Sequence, residues 1–96
     1  MRVFFVYTLT NKKHNVLYTG VTGDLYECVQ QHKSGHGSQF TARYKINKLV
    51  NVEVFPGPYH AIEREKQIKT GSRQDKIDLI NEVNSDWKDL LKVWSF

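Results

Sequence analysis

Three short stretches are dense in β-branched and aromatic residues, and four others carry apolar positions at helical spacing, so the chain predicts strands interrupted by helices. Val3 to Leu9 and Val16 to Thr22 flank the polar stretch Asn11 to Asn15 and form an antiparallel hairpin. Its register decides whether Tyr7 and Tyr18 share a face: a four-residue loop, 11 to 14, sets them opposite each other, and a five-residue loop sends them to opposite faces. Asp24, with Glu27 as a capping-box partner, opens a helix to about Lys33 that turns Leu25, Cys28, Val29 and His32 to the hairpin. Residues 34 to 47 hold Gly35 and Gly37 and no sustained period, which predicts a long functional connection. Leu49 to Phe55 is a third strand in which Val50, Val52 and Val54 alternate with Asn51 and Glu53, ending at Pro56-Gly57-Pro58. Two helices follow. In the first, about Tyr59 to Lys69, Ala61, Ile62 and Ile68 flank Glu65; the second, opened by a Ser72/Asp75 capping box, carries Ile77, Leu79, Ile80 and Val83 on one stripe. Trp87, Leu90, Leu91 and Trp94 predict a short closing helix, and their stripe serves as core or as an interface with a second copy or another protein. The order β-β-α-β-α-α describes an α+β fold, a small three-stranded antiparallel sheet flanked by helices.

Size and charge narrow this picture. At 96 residues the chain has room for one domain, residues 1–96, with a core that needs no metal or disulfide staple. The single cysteine, Cys28, cannot form an intramolecular disulfide, so a reducing cytoplasm is expected. Val3 to Leu9 is too short to span a bilayer and lacks a small-residue cleavage site after it, so neither a membrane partner nor a leader is expected. The net charge of +4 is unevenly spread: residues 1–50 hold seven Lys/Arg against two Asp/Glu, and residues 51–96 hold seven against eight. The basic half suits a polyanion partner or a soluble surface.

Three features ask for more than a core explanation. Two tyrosines lie on adjacent strands, although strand tyrosines are commonly core residues with the hydroxyl at an edge. Glu65 sits between apolar helix positions, where a buried carboxylate needs a cation, a metal or a hydroxyl; a rotated helix would instead leave it in an exposed pair with Lys69. In residues 33–48, Lys33, His36, Gln39, Arg43, Lys45 and Lys48 alternate with Phe40 and Tyr44, joining phosphate-seeking cations to stacking rings, or making a solvated basic loop. Other templates fail: the four histidines have no zinc-ligand spacing around Cys28, and there is no phosphate-loop, G-x-S-x-G or H-E-x-x-H motif. Cys28 lies one turn from His32 but on a packing face, where a free thiol is usually inert.

Val6-Tyr7-Thr8, followed eleven positions after Tyr7 by Tyr18-Thr19-Gly20, resembles the paired motifs of the GIY-YIG endonuclease superfamily. Gly20 to Leu25, His32-Lys33, Phe40-Thr41-Ala42-Arg43-Tyr44, Glu63 to Lys69 and Asn84 to Leu90 are similar, in that order, to its small stand-alone bacterial members, relatives of an excision-nuclease N-terminal domain. The resemblance implies a metal-dependent endonuclease cleaving DNA phosphodiester bonds, with Tyr7 and Tyr18 lining the site. Tyr18 would activate the attacking water or act as base, with Tyr7 and His32 supporting it. Glu65 would hold one divalent ion, Mg or Mn. Lys33, Arg43, Lys45, Lys48, Arg64 and Lys69 would contact nucleic acid. The sequence departs at one place: Cys28 stands where the family carries an arginine, and losing one charge-stabilising donor typically costs about 10² to 10³ in rate. Arg43, Arg64 or Lys33 are the cations available to replace it. The implied alternative is a degenerate module that binds nucleic acid or a protein partner without cleavage.

Overall fold

Alternation and capping carry most of the chain into the expected elements. The protein, as a computed structural model, is described over residues 2–93. Strand β1 (Phe4–Thr10) is central, between β2 (Leu17–Thr22) and β3 (Lys48–Phe55), and both pairings are antiparallel. The helices are α1 (Leu25–Lys33), α2 (Gln39–Arg43), α3 (Pro58–Thr70), α4 (Arg73–Val83) and α5 (Leu90–Val93). The α+β architecture, with its three-stranded antiparallel sheet and short C-terminal helix, matches the sequence reading, and α2 is an addition to it.

Successive residues of β1 face opposite sides, so the sheet has two buried faces. Tyr7 and Leu9 join Leu25 and Val29 of α1, with Ile46 and Leu49, in one cluster; Val6 joins Ala61 and Ile68 of α3 in the other. Leu9, Val29, Ile46 and Leu49 are fully buried, and truncating one such side chain to alanine costs about 2–5 kcal/mol. The Val6 side also buries hydroxyls: Thr8 Oγ1 and Thr19 Oγ1 meet at 3.4 Å across the strands.

Local chemistry sets the ends. The Asp24 carboxylate accepts the Glu27 N–H to start α1, while the Glu27 carboxylate accepts from Gln31 rather than closing the reciprocal half of a capping box. The full box forms at α4, with Ser72 and Asp75 bonding each other's backbone N–H.

Five expectations are corrected. The hairpin loop has six residues, 11–16, with His14 at φ +57° and Asn11 bonded to Asn15 by side chain and backbone. Tyr7 therefore faces Gly20 and Tyr18 faces Leu9, an offset of two positions that keeps both tyrosines on one face. The connection 34–47 contains α2, capped by the Ser38 hydroxyl on the Thr41 N–H. In β3 the register shifts between Thr8 and Leu9, so Val50 is an extra residue; the alternation reverses past it, burying Asn51 and leaving Val54 58 % exposed. On the helices, Ile62 and Val83 face solvent and Ile80 carries the burial of α4. Trp87 lies outside any helix, at φ +53°, stacked on His14 with centroids 4.9 Å apart; Leu90 and Leu91 are in α5, and Trp94 is outside the described residues.

Asn84 fastens this C-terminal part. Its Nδ2 donates to Val50 O (3.1 Å) and Lys88 O (2.9 Å), and its Oδ1 accepts the Lys88 N–H.

Candidate active site

The site begins on the hairpin. As diagonal neighbours on one face, Tyr7 and Tyr18 have ring centroids 6.4 Å apart. Tyr7 lies across Gly20, where an added Cβ would stand 2.5 Å from the phenol oxygen, so only glycine leaves room for the ring. Helix α1 lays two groups on the pair. Cys28 Sγ donates to Tyr7 Oη at 3.2 Å; one turn later the buried His32 ring lies 6.2 Å from Tyr7 and 5.6 Å from Tyr18, centroid to centroid.

Glu65 comes from α3. Buried Ala61 and Ile68 flank it by one turn on either side, and its side chain is only 16 % exposed. Its carboxylate also meets Lys69 Nζ at 3.6 Å, so the shielded carboxylate and the i, i+4 pair coexist. Its charge reaches Tyr7. The Tyr7 phenol is pushed well above its ordinary value, by burial first, then by Cys28, with Tyr18 and Glu65 adding to the effect. A phenol held neutral in this way is a hydrogen-bond donor at physiological pH rather than a base. Burial moves His32 the other way, below the ordinary histidine value, and so favours a neutral imidazole.

Gly37 and α2 hold His32 in place. His32 Nδ1 lies 3.0 Å from Thr41 Oγ1, and a Cβ at Gly37 would collide with the imidazole. Sequence reasoning gave neither Gly37 nor Thr41 a role; the spacing of Ser38 and Thr41, a helix N-cap pattern, was the available signal.

The donor set limits what ion fits. Among the described residues no three His, Cys, Asp or Glu side chains converge as a metal cage, which does not suit closed zinc coordination. A shielded single carboxylate suits Mg or Mn, hard ions that retain waters and take phosphate oxygens beside one or two carboxylates.

The expected cation is not supplied by its substitutes. Lys33 Nζ is bonded to Asp89 Oδ2 (2.6 Å) and Asn47 O (3.0 Å). Arg64 grips both Glu53 oxygens at 2.8 and 3.1 Å, a pairing that raises its already high pKa, and Arg43 lies 5.6 Å over the Tyr44 ring. The cation brought to the site's carboxylate is Lys69.

The six basic residues singled out for nucleic acid do not make one patch. Lys33, Arg43, Lys45 and Lys48 follow the path from α1 through α2 to β3, while Arg64 and Lys69 are on α3. On α2 and its C-cap, Phe40 and Tyr44 are 48 % and 44 % exposed with centroids 5.0 Å apart. Lys33 and Lys48 line a cleft of about 520 Å³ together with Lys12, Asn47, Asp89 and Lys92. Lys48 Nζ donates to His14 Nε2 at 2.8 Å. Lys12 and Lys92 were not singled out from sequence, since nothing local links a hairpin loop to the C-terminal helix.

The GIY-YIG catalytic domain profile matches residues 3–78. The chain is similar to the UPF0213 protein SH2523 of Staphylococcus haemolyticus, 37 % identical over 82 residues that cover 85 % of this chain and 99 % of the other. The UPF0213 protein SSP2268 of Staphylococcus saprophyticus is 39 % identical over 70 residues, 73 % of this chain and 85 % of that one. Among solved structures, the solution NMR structure of the UPF0213 protein BH0048 from Bacillus halodurans superposes with a TM-score of 0.59 at 28 % identity, covering 98 % of this chain and 99 % of that chain. With the domain match spanning both tyrosines, His32 and Glu65, the chain belongs to the GIY-YIG catalytic domain family.

Proposed function

We propose that this single domain is a metal-dependent phosphodiesterase of the cytoplasm acting on DNA. The observation that carries the reading is the convergence of Tyr7, Tyr18 and His32 from β1, β2 and α1 in one cluster of rings whose Tyr7 phenol feels the charge of Glu65 on α3. In this reading Tyr18 orients the attacking water and Tyr7, kept neutral, donates a hydrogen bond to a phosphate oxygen. Neutral His32 takes up the proton released as the water oxygen bonds to phosphorus, and the leaving oxygen, as its bond to phosphorus breaks, takes a proton from solvent water. Glu65 would hold the Mg or Mn ion, which when bound polarises the scissile phosphate. The rings and cations from Phe40 to Lys48 lead the strand to the site.

A second reading rests on Cys28. With a thiol on Tyr7 in place of a guanidinium, and with Lys33, Arg43 and Arg64 engaged elsewhere, the domain would bind nucleic acid without cutting it. Linear and branched DNA incubated with the protein in Mg²⁺ or Mn²⁺ separates the two. Cleavage that Glu65→Ala abolishes, about 10³-fold or more, while leaving binding intact supports the enzyme. Salt-sensitive binding with no cleavage supports the module.

A further inference from the structure

The buried contact between α1 and α2 fixes more than the position of a ring. The Thr41 hydroxyl has one hydrogen, and three oxygen or nitrogen atoms surround its oxygen: Ser38 O at 3.1 Å, Ser38 Oγ at 3.1 Å and His32 Nδ1 at 3.0 Å. A carbonyl oxygen only accepts, so the Thr41 hydrogen goes to Ser38 O, whose other lone pair takes the Ala42 N–H at 3.0 Å. Thr41 Oγ1 is then an acceptor toward its remaining neighbours. Ser38 Oγ accepts the Thr41 N–H and turns its own hydrogen to Thr41 Oγ1, and His32 supplies the other hydrogen from Nδ1. Every donor and acceptor in this group is used under that one assignment. The alternative, Thr41 donating to His32, would leave the buried Thr41 Oγ1 and Ser38 O 3.1 Å apart with no hydrogen between them, an unfavourable contact of two lone-pair-bearing oxygens.

We infer that Thr41 is a positioning residue that holds neutral His32 as its Nδ1–H tautomer and leaves the Nε2 lone pair as the proton acceptor of the tyrosine pocket. In a neutral imidazole the bond made by one nitrogen decides what the other can do. Thr41, 1 % exposed, is shielded from the water that would compete for this bond, and Gly37 leaves space for the ring to approach it. The short helix α2 thereby gains a role inside the pocket as well as on the surface: its N-cap serine, its threonine and the preceding glycine together choose which nitrogen faces the chemistry. The catalytic consequence rests on the phosphodiesterase reading; the tautomer does not.

Long-range ¹H–¹⁵N correlation of the histidine rings in the whole protein, without DNA or metal, tests it. At neutral pH the His32 Nδ1 resonance is expected in the protonated range and Nε2 in the unprotonated range. Thr41→Ser retains this pattern, and Thr41→Val loses it. The reverse pattern in the wild-type protein overturns the inference, as does an unchanged Nδ1–H signature in folded Thr41→Val; because the wild-type spectrum alone decides the tautomer, a variant that fails to fold leaves the test intact. Where the protein cleaves DNA, Thr41→Val lowers kcat at least about 10-fold at unchanged KM and Thr41→Ser restores it. A change confined to KM would contradict the positioning role. A protein that cuts no DNA yet shows the Nδ1–H signature defeats the phosphodiesterase reading alone.

Discussion

Helix α1 ends on two neighbouring residues with contrasting surroundings. His32 turns inward, buried between two tyrosines and Thr41, while Lys33 turns toward a cleft lined by three more lysines. On the inner side the polar groups are few, mostly shielded and held by specific bonds, with Lys69 as the partner of Glu65. On the outer side charges are plentiful and the Phe40 and Tyr44 rings are open to solvent. Burial makes individual hydrogen bonds count in the first region, and solvent screens individual charges in the second. The contrast teaches that chemistry and grip are separable here: substitutions inside should move turnover, and substitutions outside should move affinity and its salt dependence.

The most forceful way to sharpen the contrast is to put a cation inside. Cys28→Arg places a guanidinium next to Tyr7 and is expected to raise the cleavage rate about 10²- to 10³-fold with little change in DNA affinity, measured by single-turnover cleavage beside a binding titration. Cleavage that appears only in this variant would make the natural protein the binding module. Next comes Phe40→Ala, expected to weaken single-stranded oligonucleotide binding by about 1–3 kcal/mol while single-turnover rates at saturating DNA stay put. Lys45→Gln should lower affinity modestly and flatten the log K against log [salt] slope by about 0.7 to 0.9. An altered turnover rate in either surface variant breaks the separation.

The smallest effect is a pH dependence of stability. Burial lowers the pKa of both His32 and His14, with Lys48 adding to the effect at His14. The unfolded chain therefore takes up protons first as pH falls. Stabilisation from these neutral rings is present above the ordinary histidine pKa of about 6.5 and is lost as pH drops below it. Denaturation midpoints at pH 7.5 and 5.5 should differ, and His32→Gln should remove part of the difference.

What could be read from the chain was whatever short-range patterning specifies. The hairpin strands announced themselves by β-branched and aromatic density, α1 by Asp24, and α4 by the Ser72/Asp75 pair that the structure bonds on both sides. Position 28 was placed on the hairpin side by helical spacing alone, and its sulfur does meet Tyr7. The bulge at Val50 was hidden because an extra residue alters register without altering composition; the adjacent apolar pair Leu49-Val50, both buried, is its only trace. Helix α2 has five residues, too few for a period to show, and one buried side chain, Thr41, that is polar. Trp87 leaves helical spacing because His14, 73 positions earlier, offers it a stacking surface that no local window contains. Of the candidate site, the residue types were legible, but which nitrogen of His32 stands free was not, since that depends on a threonine brought in by the unforeseen helix.

The carboxamide of residue 84 has an effect at the margin of the sheet. Edge strands invite foreign chains to extend their ladder. By occupying the carbonyl of Val50, the bulge residue itself, and drawing the segment through Lys88 toward it, the protein sets its own polypeptide against its third strand there and so discourages edge-to-edge pairing at that point.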